Sequence, residues 1–316
     1  MSPPLTNILL IGATGSVGAP ILTALLSTPH LKTTILTRTS SRATFPPGIP
    51  TITISDAYTL PELISAFKGQ DAVISAMSTT PATKDDLAFR IVDAALAAGV
   101  KRLIPSEFGA NNLDPRATGL VPVYARKGEM LRYLIEVAGK SEGKLSWTSV
   151  ACGAWLDWGL DVKKSGNFLG VDVKGRKAVI WDSGRARFAC TTSRSTGEAV
   201  VKILLAGEKT ANEQIFLADF TSSVREVVEC LEKLTGEKWE LEVKESEGAI
   251  RELKKRFEEG EFAATFGLLS ISFAGDVDVG YDFEKEQKVW SEDLGVSKQT
   301  LEEVVREALE VANAAA

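Results

Sequence analysis

Between Asn7 and Gly18 the chain reads Asn-Ile-Leu-Leu-Ile-Gly-Ala-Thr-Gly-Ser-Val-Gly, and few arrangements accommodate that order. The unbroken apolar run Ile8–Ile11 suits a strand buried on both faces. Gly12, Gly15 and Gly18 follow at three-residue spacing, and behind them Ile21, Leu22, Leu25 and Leu26 form a helical pattern. Strand, tight turn and helix start in this order place unpaired backbone amides where a pyrophosphate can sit. Gly12 permits the turn, Gly15 lets backbone approach phosphate, and Gly18 lets helix pack against strand. Thr14, Ser16 and Val17, carried on the same turn, are candidate cofactor contacts. The spacing is G-x-x-G-x-x-G, not the G-x-G-x-x-G of ordinary dehydrogenases.

Strand-like runs then alternate with helical patterns: Thr33–Leu36, Thr51–Ile54, Ala72–Ala76, Arg102–Ile104 and Leu145–Val150. The clearest helix is Asp85–Ala98, where Leu87, Ile91, Ala95 and Ala98 share a face. These connections suit a doubly wound parallel sheet with helices on both sides. After about Ala154 the rhythm changes to short strands, Lys177–Trp181 and Phe188–Thr191, then a helix from Ser195 to Ala206 and a strand from Gln214 to Ala218. Beyond Ser222 the pattern is mostly helical, with one strand at Trp239–Val243 and a last helix carrying Leu301, Val304, Val305, Ala308 and Leu309. The expected organisation is a dinucleotide-binding domain over 1–155, with 176–220 rejoining its sheet. A smaller α+β lobe over 156–175 and 221–316 would pack tightly against it.

Composition removes several functions. The net charge is −6 and no dense Lys/Arg tract occurs, so nucleic acid is not an expected partner. Arg251, Lys254, Lys255 and Arg256 are surrounded by Glu252, Glu258, Glu259 and Glu261, which reads as a solvated helix face. No apolar stretch reaches the roughly 20 residues that span a bilayer. The opening Met1-Ser-Pro-Pro lacks the pattern of a secretory signal, so a cytoplasmic location is expected. Cys152, Cys190 and Cys230 are odd in number and form no C-x-x-C pair, as in reduced intracellular proteins. With His30 the only histidine, histidine triads and multi-histidine zinc sites drop out, and no metal is expected.

The end of the second strand meets the adenosine ribose in this type of fold, where a carboxylate suits NAD and arginine suits the 2′-phosphate of NADP. That stretch, Leu36-Thr-Arg-Thr-Ser-Ser-Arg42, holds two guanidiniums, four hydroxyls and no carboxylate. Arg38, Ser40 and Arg42 are therefore read as a 2′-phosphate site for NADPH or NADP⁺.

At Lys101-Arg-Leu-Ile-Pro-Ser-Glu-Phe-Gly109 the chain resembles the isoflavone reductase-like branch of the NmrA-like family, atypical relatives of short-chain dehydrogenases. The opening Gly-Ala-Thr-Gly and the Arg38 loop add to the likeness, and Gly153-Ala-Trp-Leu-Asp-Trp-Gly-Leu160 looks like fungal members. The likeness covers the first ~220 residues well. It implies a Rossmann-type domain, NADPH, a smaller substrate lobe and hydride transfer to phenylpropanoid- or isoflavonoid-type substrates. It also implies a key lysine at the start of the helix after the Pro-Ser-Glu-Phe-Gly loop, which aligns with Lys127 in Val123-Tyr-Ala-Arg-Lys-Gly-Glu-Met130. A lysine withdrawn from water beside a nicotinamide has a lowered pKa and can exchange a proton, or it can orient the cofactor ribose.

Tyr124 lies three residues before Lys127 rather than the four of Tyr-x-x-x-Lys, so it reads as packing or pocket wall. Ser106 and Glu107 follow the fifth strand, where ligands gather, and are expected to position the cofactor or order the loop. Met77 and Ser78, after the fourth strand, are expected under the nicotinamide half. Plant members carry Ser-Ser-Asn after the sixth strand where this chain has Val150-Ala-Cys152, which puts Cys152 at a cofactor-contact position. Phe108, Trp155 and Trp158 would rim the cleft and favour flat aromatic or alkaloid-like substrates, though the tryptophans also suit inter-lobe core. The leading expectation is an NADPH-dependent reductase of a small aromatic or heterocyclic secondary metabolite, monomeric or homodimeric. A non-catalytic redox sensor acting on a protein partner, and a cofactor-bound non-redox cyclase, remain open from the sequence.

Overall fold

Seven parallel strands form the centre of the molecule, seen in a computed structural model that describes residues 4–79, 83 and 85–314. Residues 1–3, at the start of the Met1-Ser-Pro-Pro segment, lie outside that description. The strands are β1 (Asn7–Ile11), β2 (Lys32–Arg38), β3 (Thr51–Ile54), β4 (Ala72–Ser75), β5 (Arg102–Ile104), β6 (Ser146–Ala151) and, from much later in the chain, β11 (Glu213–Phe216). Their order is β11-β6-β5-β4-β1-β2-β3. From β1 the chain winds outward through β2 and β3, then returns to build β4, β5 and β6 on the other side. The crevice where ligands bind in such sheets opens at this reversal, above the carboxyl ends of β1 and β4.

Burial of β1 and β4 follows from their composition. Alternate residues feed two cores. Ile8, Leu10, Ile35 and Ile74 pack under α1 (Gly18–Leu26) and α8 (Ser193–Ala206). Leu9, Ile11, Leu36 and Val73 pack under α2 (Leu60–Phe67), α3 (Leu87–Ala98) and α5 (Pro122–Lys140). Each such aliphatic side chain contributes roughly 1.5–3 kcal/mol on burial. The helix boundaries have local causes. Thr59 and Glu62 close a capping box on α2, and Gly99 ends α3 at φ 78°.

One buried guanidinium ties the late strand to the sheet. Arg102, 2% exposed, donates to Ser146 Oγ at 2.7 Å, Thr148 Oγ1 at 3.0 Å, Thr210 Oγ1 at 3.2 Å and the Gly207 carbonyl at 3.1 Å. Neutral acceptors on two segments, β6 and the turn Gly207–Thr210, thus replace its hydration shell.

Within 176–220, α8 packs on α1 and β11 pairs with β6, so these two elements join the main sheet layer. The strands β9 (Lys177–Trp181) and β10 (Phe188–Thr191) do not. β10 pairs with β7 (Ala154–Trp155) and β12 (Phe220–Ser222), and β9 with β8 (Val171–Asp172) and β13 (Glu240–Lys244). β9 buries alternate residues, Ala178 and Ile180, the mark of a sheet covered on one face only. Around these small sheets lie α9 (Val224–Thr235), α11 (Ala264–Ala274) and α13 (Leu301–Ala314), which supply Val228, Leu231, Leu268, Phe273, Val304 and Val305 to a separate core. Among the described residues no helix is long and apolar enough to cross a membrane.

Candidate active site

The turn after β1 is built by close backbone approach. Gly12 has φ +81°, and a Cβ there would stand 2.4 Å from the Ala76 carbonyl oxygen at the end of β4. A Cβ on Gly18 would stand 1.9 Å from the Gly12 oxygen, so Gly18 lets α1 begin directly against the turn itself. Gly15 N donates back to Gly12 O at 3.0 Å. No side chain caps α1, and its first turn holds no acidic residue. Its amide end is thereby left for an external anion, as a pyrophosphate would require.

A cavity of about 690 Å³ runs from this turn toward the smaller lobe. Gly15, Ser16 and Val17 line one end, and Met77, Ser78, Ser106, Glu107 and Phe108 the middle. Ser106 Oγ donates to the Met77 carbonyl at 2.7 Å, locking the loop after β5 to the loop after β4. Phe108 adopts φ +39°, which is strained for a bulky side chain. The loop is held there from both sides, by Glu107 N on Pro105 O at 2.8 Å and Gly153 N on Gly109 O at 3.0 Å.

Lys127 enters this middle section from the first turns of α5. It is 8% exposed, and its Nζ donates to the Glu107 carbonyl oxygen at 2.7 Å. Burial lowers its pKa, with the negative potential of Glu107 opposing that shift. The Glu107 carboxyl is itself 1% exposed. Burial pushes it up to about 7, against the pull of Lys127 and of Asn112, whose Nδ2 donates to Oε2 at 2.6 Å. Glu107 Oε1 has no hydrogen-bond partner. A lysine and a carboxyl, both driven toward neutrality by burial, therefore meet at the middle section of the cavity. Tyr124 also lines the cavity, with its hydroxyl pKa raised well above normal by burial, which suits a wall rather than an acid.

The far end is aromatic. Trp155 and Trp158 meet edge to face at 6.4 Å, Trp158 and Phe168 are tilted at 5.8 Å, and Phe168 and Phe273 meet edge to face at 5.6 Å between ring centroids. All four line the cavity, and Phe266 and Leu269 join them from the same face of α11 as Phe273. Trp155 Nε1 donates to Thr196 Oγ1 at 3.1 Å, whereas Trp158 Nε1 and Asn167 Oδ1, on two lining residues, have no partner. Asp157 turns away and accepts from Ser193 N at the start of α8.

Residues 12–187 match the family described as NAD(P)H-binding. The chain belongs to that family. Among its relatives, the oxidoreductase aprR of Aspergillus flavus is 35% identical over 76% of this chain and 78% of its own. The isoflavone reductase homolog IRL of Zea mays is 27% identical over 81% of this chain and 82% of its own. The solved structure of AtPrR2 with NADP⁺ and (+)pinoresinol superposes with a TM-score of 0.71 at 21% identity, over 98% of this chain and 100% of that one. The protein is thus an NAD(P)H-dependent oxidoreductase that is similar to isoflavone reductase-like proteins and shares their Rossmann-type fold.

In this oxidoreductase the residues singled out from sequence take distinct places. Gly15, Ser16, Val17, Met77, Ser78, Ser106, Phe108, Lys127, Trp155 and Trp158 share the one cavity. Gly12 and Gly18 stand behind it as backbone supports, and Thr14 is exposed on the turn. Cys152 is fully buried outside the lining, its thiol pushed up to about 12 by burial, and its carbonyl accepts from Thr191 Oγ1 at 2.8 Å. Arg38, at the end of β2, and Ser40 and Arg42 just past it are exposed and lie outside the cavity.

A carboxylate absent from the Leu36–Arg42 segment comes in from β3. Asp56 accepts from Ser40 Oγ, from Ser40 N at 3.2 Å and from Thr39 Oγ1 at 3.3 Å, and lies 3.6 Å from Arg38 Nη1. Sequence reasoning missed Asp56, Glu107 as a buried acid, and the lobe residues Asn167, Phe168, Phe266 and Phe273. Helix α11, apolar on nearly every face, carried a signal for the last two, since such a helix must be covered on several sides. No group of His, Cys, Asp or Glu able to hold a metal occurs among the described residues.

Proposed function

We propose that the chain is an NADPH-dependent reductase of a small aromatic or heterocyclic secondary metabolite, with Lys127 holding the proton that completes the reduction. The observation that carries this reading is the position of Lys127: buried, lowered in pKa, and on the wall between the Gly15–Val17 turn and the tryptophans. When bound, the dinucleotide supplies a hydride to an electron-poor C=C or C=N, or to a benzylic carbon whose ring C–O bond breaks as the hydride arrives.

The chain's own groups do the rest. The open N-terminus of α1 and the glycine turn carry the pyrophosphate. Met77, Ser78 and Ser106 floor the nicotinamide half, and the aromatic end binds and orients a flat substrate while excluding water. Trp158 Nε1 and Asn167 Oδ1, on two lining residues, are one donor and one acceptor that no protein group satisfies. Lys127 Nζ, held by the Glu107 carbonyl, delivers a proton to the carbon or heteroatom that becomes electron-rich. A sensor that only reports cofactor redox state would need neither the buried lysine nor the aromatic end.

The test is titration of the purified protein with NADPH, NADP⁺, NADH and NAD⁺, followed by product analysis on a panel of aromatic metabolites. The expected result is NADPH consumption with a product heavier by two hydrogens. Conversion that runs equally with NADP⁺ and NADPH would assign non-redox chemistry instead, and absence of any dinucleotide binding would end the reductase reading.

A further inference from the structure

The segment that reads as a 2′-phosphate site is already engaged by an anion of the protein's own. Arg38 and Ile54 are register partners at the ends of β2 and β3. Thr39 N donates to Ile54 O at 2.9 Å, which holds the two exits side by side. Asp56, two residues past Ile54, therefore faces Ser40. Its two oxygens take the Ser40 hydroxyl, the Ser40 amide and the Thr39 hydroxyl, with the Arg38 guanidinium alongside. A guanidinium, two hydroxyls and an amide are the donor set that a phosphate monoester needs. Arg38 and Asp56 are each about half exposed, so a ligand reaches them from solvent.

We propose that Asp56 sets the preference between the two dinucleotides, acting as an internal anion that competes with a 2′-phosphate for the donors of Arg38, Thr39 and Ser40. The proposal rests on reading this segment as the seat of the adenosine ribose. An incoming 2′-phosphate must displace the carboxylate or meet it as a like charge, whereas a free ribose 2′-hydroxyl finds in it an acceptor. Arg38 thus favours NADPH while Asp56 opposes it, and the chain discriminates less between the two cofactors than its arginine-rich segment suggests.

The test measures binding, without turnover, of 2′,5′-ADP and 5′-ADP, then of NADPH and NADH, to the full chain and to its Asp56→Asn and Asp56→Glu variants. Thermal melting checks that each variant folds. Asp56→Asn should tighten 2′,5′-ADP and NADPH by about tenfold, while 5′-ADP and NADH stay unchanged or weaken slightly. Asp56→Glu keeps the charge and should show no such gain, which separates charge from packing. Equal changes for both adenylates in Asp56→Asn would make Asp56 an adenine contact or a structural acid, and would overturn the proposal. Tight NADPH binding that Asp56→Asn leaves unaltered would overturn it while leaving the reductase reading intact. Failure of the parent chain to bind any dinucleotide would overturn both.

Discussion

Lys127 Nζ donates its 2.7 Å hydrogen bond to the main-chain carbonyl of Glu107, not to the carboxyl buried nearby. The lysine is held by a neutral acceptor and its charge is left partly uncompensated, which is how a protein keeps an ammonium ready to release a proton. Lys127→Met preserves the length and the burial but removes the proton. NADPH-dependent turnover should fall by about 10²–10⁴. Dinucleotide affinity, followed by titration calorimetry, should change far less. Full turnover in this variant would remove Lys127 from the chemistry.

Glu107 makes the fold pH-sensitive in a predictable direction. Its pKa rises from 4.5 to about 7 on folding, so the folded state takes up a proton that the unfolded chain releases. The stability this contributes is fully present below about 4.5 and is lost as the pH rises through about 7. Asp219, raised to about 6 by burial, adds a slope of the same sign. Glu107→Gln should flatten the loss of stability between pH 5 and 7 relative to the parent chain. Denaturant melts across that range measure it, and an unchanged slope would mean that the carboxyl is already ionised at pH 5.

Gly18→Ala tests the turn. The added methyl would point at the Gly12 carbonyl at 1.9 Å, so either α1 withdraws or the turn opens. A destabilisation of roughly 1–3 kcal/mol is expected, together with loss of dinucleotide binding. Intact NADPH affinity in a folded Gly18→Ala protein would place the pyrophosphate elsewhere.

Arg102→Met probes the attachment of β11. It leaves Ser146, Thr148 and Thr210 hydroxyls and the Gly207 carbonyl without their guanidinium. The expected cost is about 2–4 kcal/mol, read as a lowered melting temperature. Hydrogen exchange should rise first at Glu213–Phe216, the strand that Arg102 secures.

What the sequence made legible was local. The glycine turn, the parallel strands and the Pro-Ser-Glu-Phe-Gly loop each declare themselves within a dozen residues, because chain geometry there is set by neighbours. The segment after β2 looked purely cationic because its counter-charge, Asp56, lies 18 residues beyond Arg38 and arrives only through strand pairing. Adjacent parallel strands end at the same edge, so the residue two past Ile54 was in principle readable from the sheet order. The aromatic end was half visible. Trp155 and Trp158 are near the loop in sequence, while Phe168, Phe266 and Phe273 come from lobe segments with no periodic tie to it. Cys152 shows the limit of proximity: it follows a cavity-bordering strand yet faces the interior.

The row of rings from Trp155 through Trp158 and Phe168 to Phe273 does not stop at the cavity. Phe273 meets Phe188 at 5.6 Å and Tyr281 at 4.4 Å, inside the core of the smaller lobe. On the proposed function, ligand selection and lobe folding draw on the same side chains. Divergence toward a new substrate is constrained on this wall, since each ring exchanged for shape also loosens what holds the lobe together. Phe266, two turns before Phe273 on the same helix but 41% exposed, carries no such double duty. Directed evolution of this scaffold should accordingly accumulate its tolerated specificity changes on α11 near Phe266, and few along the tryptophan row.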